Sequence, residues 1–151
     1  TLPLPQNFDT GESVALKPRA WCPFNSQNTT WFEQAFPLLY LPAYCSFRMT
    51  DIWRSFVAQR IATVNDWPIL FHKATVWQER NEHNLMRDFA DEVPGYLNNA
   101  AIRDMLEALT LERGQSAITA NLSICYRRLV EAKLIGEQEL PLLDTWLEYF
   151  E

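Results

Sequence analysis

Glycine is scarce, 4 of 151 residues, where a typical domain carries roughly 7%. No glycine-rich loop of the kind that cradles phosphates is present. Long hydrophobic runs are also missing. Nothing approaches the roughly 18 apolar residues of a membrane span, and no signal-peptide pattern occurs. Basic clusters are absent beyond Arg127-Arg128. A surface that tracks nucleic-acid phosphates needs several clustered cations, so that function is disfavoured. The three cysteines, Cys22, Cys45 and Cys125, are widely spaced without Cys-x-x-Cys, which argues against a zinc ribbon or a redox motif. The two histidines lack His-x-x-x-His spacing, and neither Gly-x-Ser-x-Gly nor a Cys/His dyad pattern appears.

What is present suits a packed domain. Hydrophobic residues make up 48% and aromatics 13%, which excludes a disordered tail, a collagen-like repeat or a linker. A chain of this length buries roughly 70% of its extended surface. Net charge is −6, and the acidic excess grows toward the C-terminus. The low glycine count, a first residue other than Met and a proline-rich opening lead to the expectation of a piece of a longer protein, entered within a domain. Two N-x-S/T triplets, Asn28-Thr29-Thr30 and Asn121-Leu122-Ser123, are compatible with a lumenal protein without establishing one.

The chain reads as two unlike halves. Six of nine prolines lie in residues 1–42 and five of six tryptophans precede residue 78. Pro3, Pro5 and Pro18 disfavour regular structure, so 1–42 is read as an ordered, aromatic-rich loop region. The alternation of Ala43-Tyr44-Cys45-Ser46-Phe47-Arg48 predicts a strand. Thr50 as N-cap, Asp51 in the first turn and apolar residues from Ile52 to Ile61 predict a helix to about residue 63. Asn65-Asp66-Trp67-Pro68 is a break, Ile69-Leu70-Phe71 a short strand, and a polar loop runs on to Asn84. Beyond residue 84 the pattern is helical. A helix over 84–92 is expected to stop before Pro94. A second carries Ile102, Met105, Leu106 and Leu109, with Gly114 as its C′ residue. A third is capped by Ser116 and ends at Gly136, and a fourth carries Leu143, Trp146, Leu147 and Phe150. The last three are expected to form an antiparallel array around a core.

Three polar clusters carry the candidate chemistry. In Cys22–Trp31, the carboxamides of Asn25, Gln27 and Asn28 lie among aromatics, suited to a sugar or nucleotide, or simply to tying down their own loop. In Ser46–Arg54, Asp51 at a strand-to-helix junction can act as a general base, or can complement the helix dipole and pair with Arg54. The third holds both histidines, His72 and His83, and can ligate a metal or contact phosphate, or can be a solvated charged loop.

The strings Cys22-Pro-Phe-Asn-Ser-Gln-Asn-Thr-Thr-Trp31, Phe47-Arg-Met-Thr-Asp-Ile-Trp-Arg-Ser-Phe-Val-Ala-Gln-Arg60 and Gln78-Glu-Arg-Asn-Glu-His-Asn84 resemble the STELLO family. The resemblance covers roughly residues 18–90, and the helical remainder matches only in general character. It implies a glycosyltransferase-like protein with a GT-A type nucleotide-sugar domain, carried by type II membrane proteins of the Golgi. The fold class implied is α/β, predominantly helical in this piece. Residues 1–92 would be the acceptor-side, C-terminal portion of a GT-A-like domain, and 93–151 an antiparallel helical tail. Asp51 then becomes the candidate catalytic base. Arg48, Trp53, Arg54, Asn25, Gln27 and Asn28 would shape the substrate pocket. His83, with His72 in reserve, would stand at a metal (Mn or Mg) and diphosphate. The donor-side Asp-x-Asp motif is missing, since Asp88-Phe-Ala-Asp91 has the wrong spacing, so this chain alone is expected not to catalyse transfer. The implied partners are a nucleotide sugar and a glycan or protein acceptor, with no nucleic acid, and with a membrane only through a segment outside this chain. A non-catalytic protein-interaction module, with the helical tail binding a partner, is the alternative. A hydrolase using Asp51 and Glu79 has only composition behind it.

Overall fold

The computed structural model describes residues 13–150, apart from 18, 78, 80 and 81. Pro3, Pro5, Pro18 and part of the Gln78–Asn84 string lie outside the described residues. Four α-helices dominate: α1 (Thr50–Val64), α2 (Leu85–Glu107), α3 (Ile118–Glu131) and α4 (Glu139–Leu147). Among the described residues the one sheet joins β1 (Val14–Ala15) to β2 (Leu70–Phe71), antiparallel, with Val14 opposite Phe71. Short 3-10 turns cover Glu33–Leu39, Phe47–Met49, Gln115–Ala117 and Glu148–Phe150.

Helix α1 is the central element. Trp53 to Gln59, Ile61 and Ala62 are all buried, so no side of its middle turns faces water. Its apolar residues Trp53, Phe56, Val57 and Ile61 join Ile102 and Leu106 of α2 with Leu122, Cys125, Tyr126 and Leu129 of α3. Leu143 and Leu147 of α4 complete the core. The periodic stripes expected of α3 and α4 are therefore interior. Asn121 is also interior: its amide donates to the Glu112 carbonyl and its oxygen accepts from the Glu112 N–H. That double bond removes the second N-x-S/T triplet from the surface of the folded chain.

The segment 43–48 is not a strand. It forms bends and then the 3-10 turn that leads into α1. The short bonds of these turns run from Met49 N–H to the Ser46 carbonyl and from Thr50 Oγ1 to the Phe47 carbonyl. Thr50 thus sits inside the first helical turn rather than capping it. The helix expected to stop before Pro94 continues through it, and α2 spans 23 residues. Proline removes one N–H bond inside the helix. Asn84 caps the start by accepting from the Arg87 N–H at 3.1 Å. Gly95 then brings the helix onto Met49, where any Cβ would run into the thioether. One core therefore draws on residues from both sides of 92/93. Gly114 does not end α2, which closes at Glu107. With φ at +121°, it opens the turn before α3, and its N–H is held by Asn65 Oδ1 at 2.8 Å. Ser116 lies within that turn and caps nothing. No helix among the described residues is long and apolar enough to cross a membrane.

Candidate active site

Residues 22–26 run as a loop strand along α1. Their alternate N–H groups donate to side chains one helical turn apart. Cys22 N–H reaches Gln59 Oε1 at 3.0 Å, Phe24 N–H reaches Ser55 Oγ at 3.1 Å, and Ser26 N–H reaches Asp51 Oδ2 at 2.9 Å. The geometry follows from two repeats. Two extended residues advance about 6.6 Å, and four helical residues rise about 6.0 Å. An extended chain therefore stays in register with every fourth side chain of a helix for several rungs. This explains two buried polar residues of α1: Gln59 and Ser55 are interior because backbone donors need them. Arg54, also buried, donates to Ser26 Oγ at 2.7 Å and lies 5.0 Å above the Trp31 ring. Burial pulls its guanidinium below the ordinary value. Its Nε finds no partner among the described residues.

At the last rung the ladder opens onto a cleft of about 540 Å³ between the loop, the start of α1 and the middle of α2. Asn25, Gln27, Arg48 and Asp51, four of the expected site residues, line it together. Asp51 does not pair with Arg54 by any bond, because Arg54 is directed to Ser26 and Trp31. Arg48 is bonded to Asp88, which holds its guanidinium above the ordinary value.

The other expected residues lie elsewhere. Trp53 is only 2% exposed and meets the cleft through Asn99, whose Oδ1 accepts from the indole at 3.0 Å. Trp53 therefore positions a lining residue rather than lining the cleft. Arg54 sits beneath the loop, not in the cleft. Asn28 turns away and donates to Thr75 Oγ1 at 3.1 Å. His83 Nδ1 is 3.6 Å from Asp88 Oδ2, on the far side of the carboxylate that Arg48 holds. His72 is exposed, its Nδ1 beside the Lys73 carbonyl. His83 and Asp88 offer two donors and Arg48 already occupies one, so the described residues here do not by themselves fit a divalent ion. No group of three or more His, Cys, Asp or Glu suited to a metal occurs among the described residues. Glu79 is not among the residues lining the cleft.

The lining also includes residues not expected at the site, among them Phe47, Glu92, Tyr96 and Asn99. The last three stand on α2 across Pro94, where a helix boundary was expected. The spacing Asp51, Ser55, Gln59 is the sequence signal for the ladder: one row of hydrogen-bond acceptors, repeated about every turn of α1.

The cleft is lined by carboxylate, carboxamide and aromatic side chains, a set that serves group transfer onto a hydroxylated substrate. The sequence model of the STELLO glycosyltransferases matches residues 48–151. The chain belongs to this family. The match includes the helical segment beyond residue 90, which was expected to resemble the family only in general character. It leaves the Cys22–Trp31 loop outside. No curated protein matches the chain.

Proposed function

We propose that this chain forms the acceptor-side part of a glycosyltransferase, moving a sugar from a nucleotide-sugar donor to a glycan or protein acceptor. The observation that carries this is the placing of Asp51, in a chain of the STELLO glycosyltransferases, on a cleft shared with Asn25, Gln27 and Arg48. In an inverting transfer an acceptor hydroxyl attacks the anomeric carbon, its proton passes to Asp51, and the nucleotide diphosphate leaves. Ser26 N–H holds one oxygen of Asp51, which fixes the carboxylate in place for the proton. Arg48 and the loop carboxamides orient the acceptor. The chain has no Asp-x-Asp, so in this reading the donor's nucleotide is held by another part of the enzyme. A GT-A setting in the Golgi lumen, within a type II membrane protein, belongs to the same proposal. Since Tyr96 and Asn99 line the cleft, the acceptor-side unit extends past residue 92.

Asp51→Asn in the full-length protein is the test. Asparagine keeps an oxygen to accept the Ser26 N–H but cannot take a proton. Sugar transfer is expected to fall by about 10³-fold or more while the thermal midpoint stays put. Unchanged transfer in a folded variant would overturn the assignment.

One observation favours the second reading, a protein-interaction module. Leu85, Met86 and Leu97 of α2 are 73%, 75% and 75% exposed, an apolar exposure that suits contact with a partner protein. It lies on α2, not on the stripes of α3 and α4, which are buried. Under that reading, Leu85→Ser/Met86→Ser breaks partner capture and Asp51→Asn does nothing.

A further inference from the structure

We propose that the cleft, with Phe47 and Tyr96 in its lining, takes an uncharged sugar ring of the acceptor and refuses the diphosphate of the donor. This rests on reading Asp51 as the acceptor-side base. Phe47 is 81% and Tyr96 71% exposed, yet both line the cleft. Phe47 stands on the turn before α1, and Tyr96 on α2 beside Gly95. Tyr96 has two partners on its own helix. Its hydroxyl donates to Glu92 Oε2 at 3.4 Å, and its ring packs tilted against Phe89 with centroids 6.1 Å apart. Exposed aromatic rings in the lining of a polar cleft offer flat apolar faces, which suit the C–H face of a pyranose.

The remaining lining suits the hydroxyl edge of such a ring. Asn25, Gln27, Asp51, Glu92 and Asn99 carry planar groups with paired donors or acceptors, which can hydrogen-bond sugar hydroxyls. The bond from Trp53 fixes the amide of Asn99, so its Nδ2 is the group left to donate.

Charge decides what is refused. Arg48 is the only cation among the lining residues, and Asp88 is already bonded to it. Asp51 and Glu92 line the same space without an ion-pair partner among the described residues. Among the described lining residues, a diphosphate entering here meets two carboxylates and no cation free of a partner, whereas a neutral polyol meets no like charge.

The test is a titration of the chain with neutral tetrasaccharides of glucose, mannose, galactose and xylose, with UDP, and with tetralysine, each followed by amide NMR. At least one neutral tetrasaccharide is expected to bind, with shifts gathered at Asn25, Gln27 and Asn99. Tyr96→Ala and Phe47→Ala weaken that binding by about tenfold or more. Tyr96→Phe retains it, because the ring remains. Both residues are exposed, so the variants keep the fold, which thermal melting checks. UDP leaves the cleft signals unmoved. No binding by any tetrasaccharide, binding indifferent to both alanine variants, or preference for UDP or tetralysine overturns the inference. The two proposals fail separately. Tetrasaccharide binding that depends on Tyr96, with sugar transfer unaffected by Asp51→Asn, sinks the base and spares the saccharide site. Transfer lost in Asp51→Asn with binding unchanged in Tyr96→Ala does the reverse.

Discussion

Two loops from the early part of the chain are fastened to helices by side chains that accept backbone N–H groups, and the fastenings differ in kind. The loop at 22–26 lies on α1 by three separate acceptors, one bond each, from Gln59, Ser55 and Asp51. In the turn at 40–44 the Tyr44 carbonyl accepts from Gly136 N–H at 2.9 Å, while the N–H groups of Ala43 and Tyr44 converge on one residue of α4, Glu139, which is fully buried. Its Oε2 accepts from the N–H of Ala43 at 2.9 Å and of Tyr44 at 2.8 Å, and its Oε1 accepts from the Tyr40 hydroxyl. A distributed ladder can lose a rung and stay in register. A clamp concentrated on one buried carboxylate cannot. The ladder ends at the cleft, where a substrate must enter. The clamp closes the core, where Tyr40 stands edge-on to Tyr126 with centroids 5.2 Å apart.

The largest effect expected is at the clamp. Glu139→Ala strands two backbone donors and a phenol in the interior and costs about 4 kcal/mol. The thermal midpoint falls by about 12 °C for a chain of this size. Glu139→Gln keeps an acceptor oxygen but sets an amide against donors, and loses about half as much. If both variants melt like the parent protein, the clamp is not what holds the turn.

A smaller effect follows from the same buried side of the molecule. Burial pushes the Cys125 thiol from 9.0 up to about 12, against a lesser opposing pull from Arg60. The folded state therefore keeps its proton where the unfolded chain has lost it. The stabilisation is complete below pH 9 and is lost as pH rises from 9 toward 12. From pH 9 to 10.5 the cost is about 2 kcal/mol for this thiol. Cys45 shifts in the same direction, chiefly through burial and then through Glu139, but is more exposed and counts for less. Denaturant titrations across that range should show a shallower decline in Cys125→Ala. Equal slopes in the two proteins would mean that Cys125 does not carry the effect.

The two regions were also unequally legible in the sequence. Apolar periodicity places α1, α3 and α4 because their stripes are the core. Asp51, Asn25, Gln27 and Arg48 stand out as polar residues beside aromatics, and they do share the cleft. Pro94 hid the rest. Splitting α2 there removed the one element that carries Glu92, Tyr96 and Asn99 into the cleft. The helix survives because Asn84 caps its start and its later turns are packed in the core, both outside the reach of a local proline rule. Glu139 was invisible for another reason. It is one acid in an acidic stretch, and its partners lie 95 to 99 residues upstream. The alternation over 43–48 misled because the Glu139 carboxylate takes the N–H groups of the consecutive residues Ala43 and Tyr44, and the chain bends there instead of staying extended.

The smallest effect separates the fastenings most directly. Ser55→Ala removes the middle rung. Phe24 N–H loses its acceptor, while Cys22 and Ser26 keep theirs. The cost is about 1 kcal/mol, and amide exchange should quicken at Phe24 and, less, at Cys22 and Ser26. Ala43 and Tyr44 should keep their protection, because their acceptor is on another helix. Asp51→Asn, which retains an acceptor for Ser26, should leave exchange at all three rungs nearly unchanged. Asn25 and Gln27 flank the last rung. Loosening the ladder at Ser55 should therefore weaken saccharide binding in the cleft although no lining residue has changed. Equal loss of protection at Ala43 and Phe24 would show that the two loops are held as one unit. The ladder would then be a continuation of the core rather than an adjustable wall of the site.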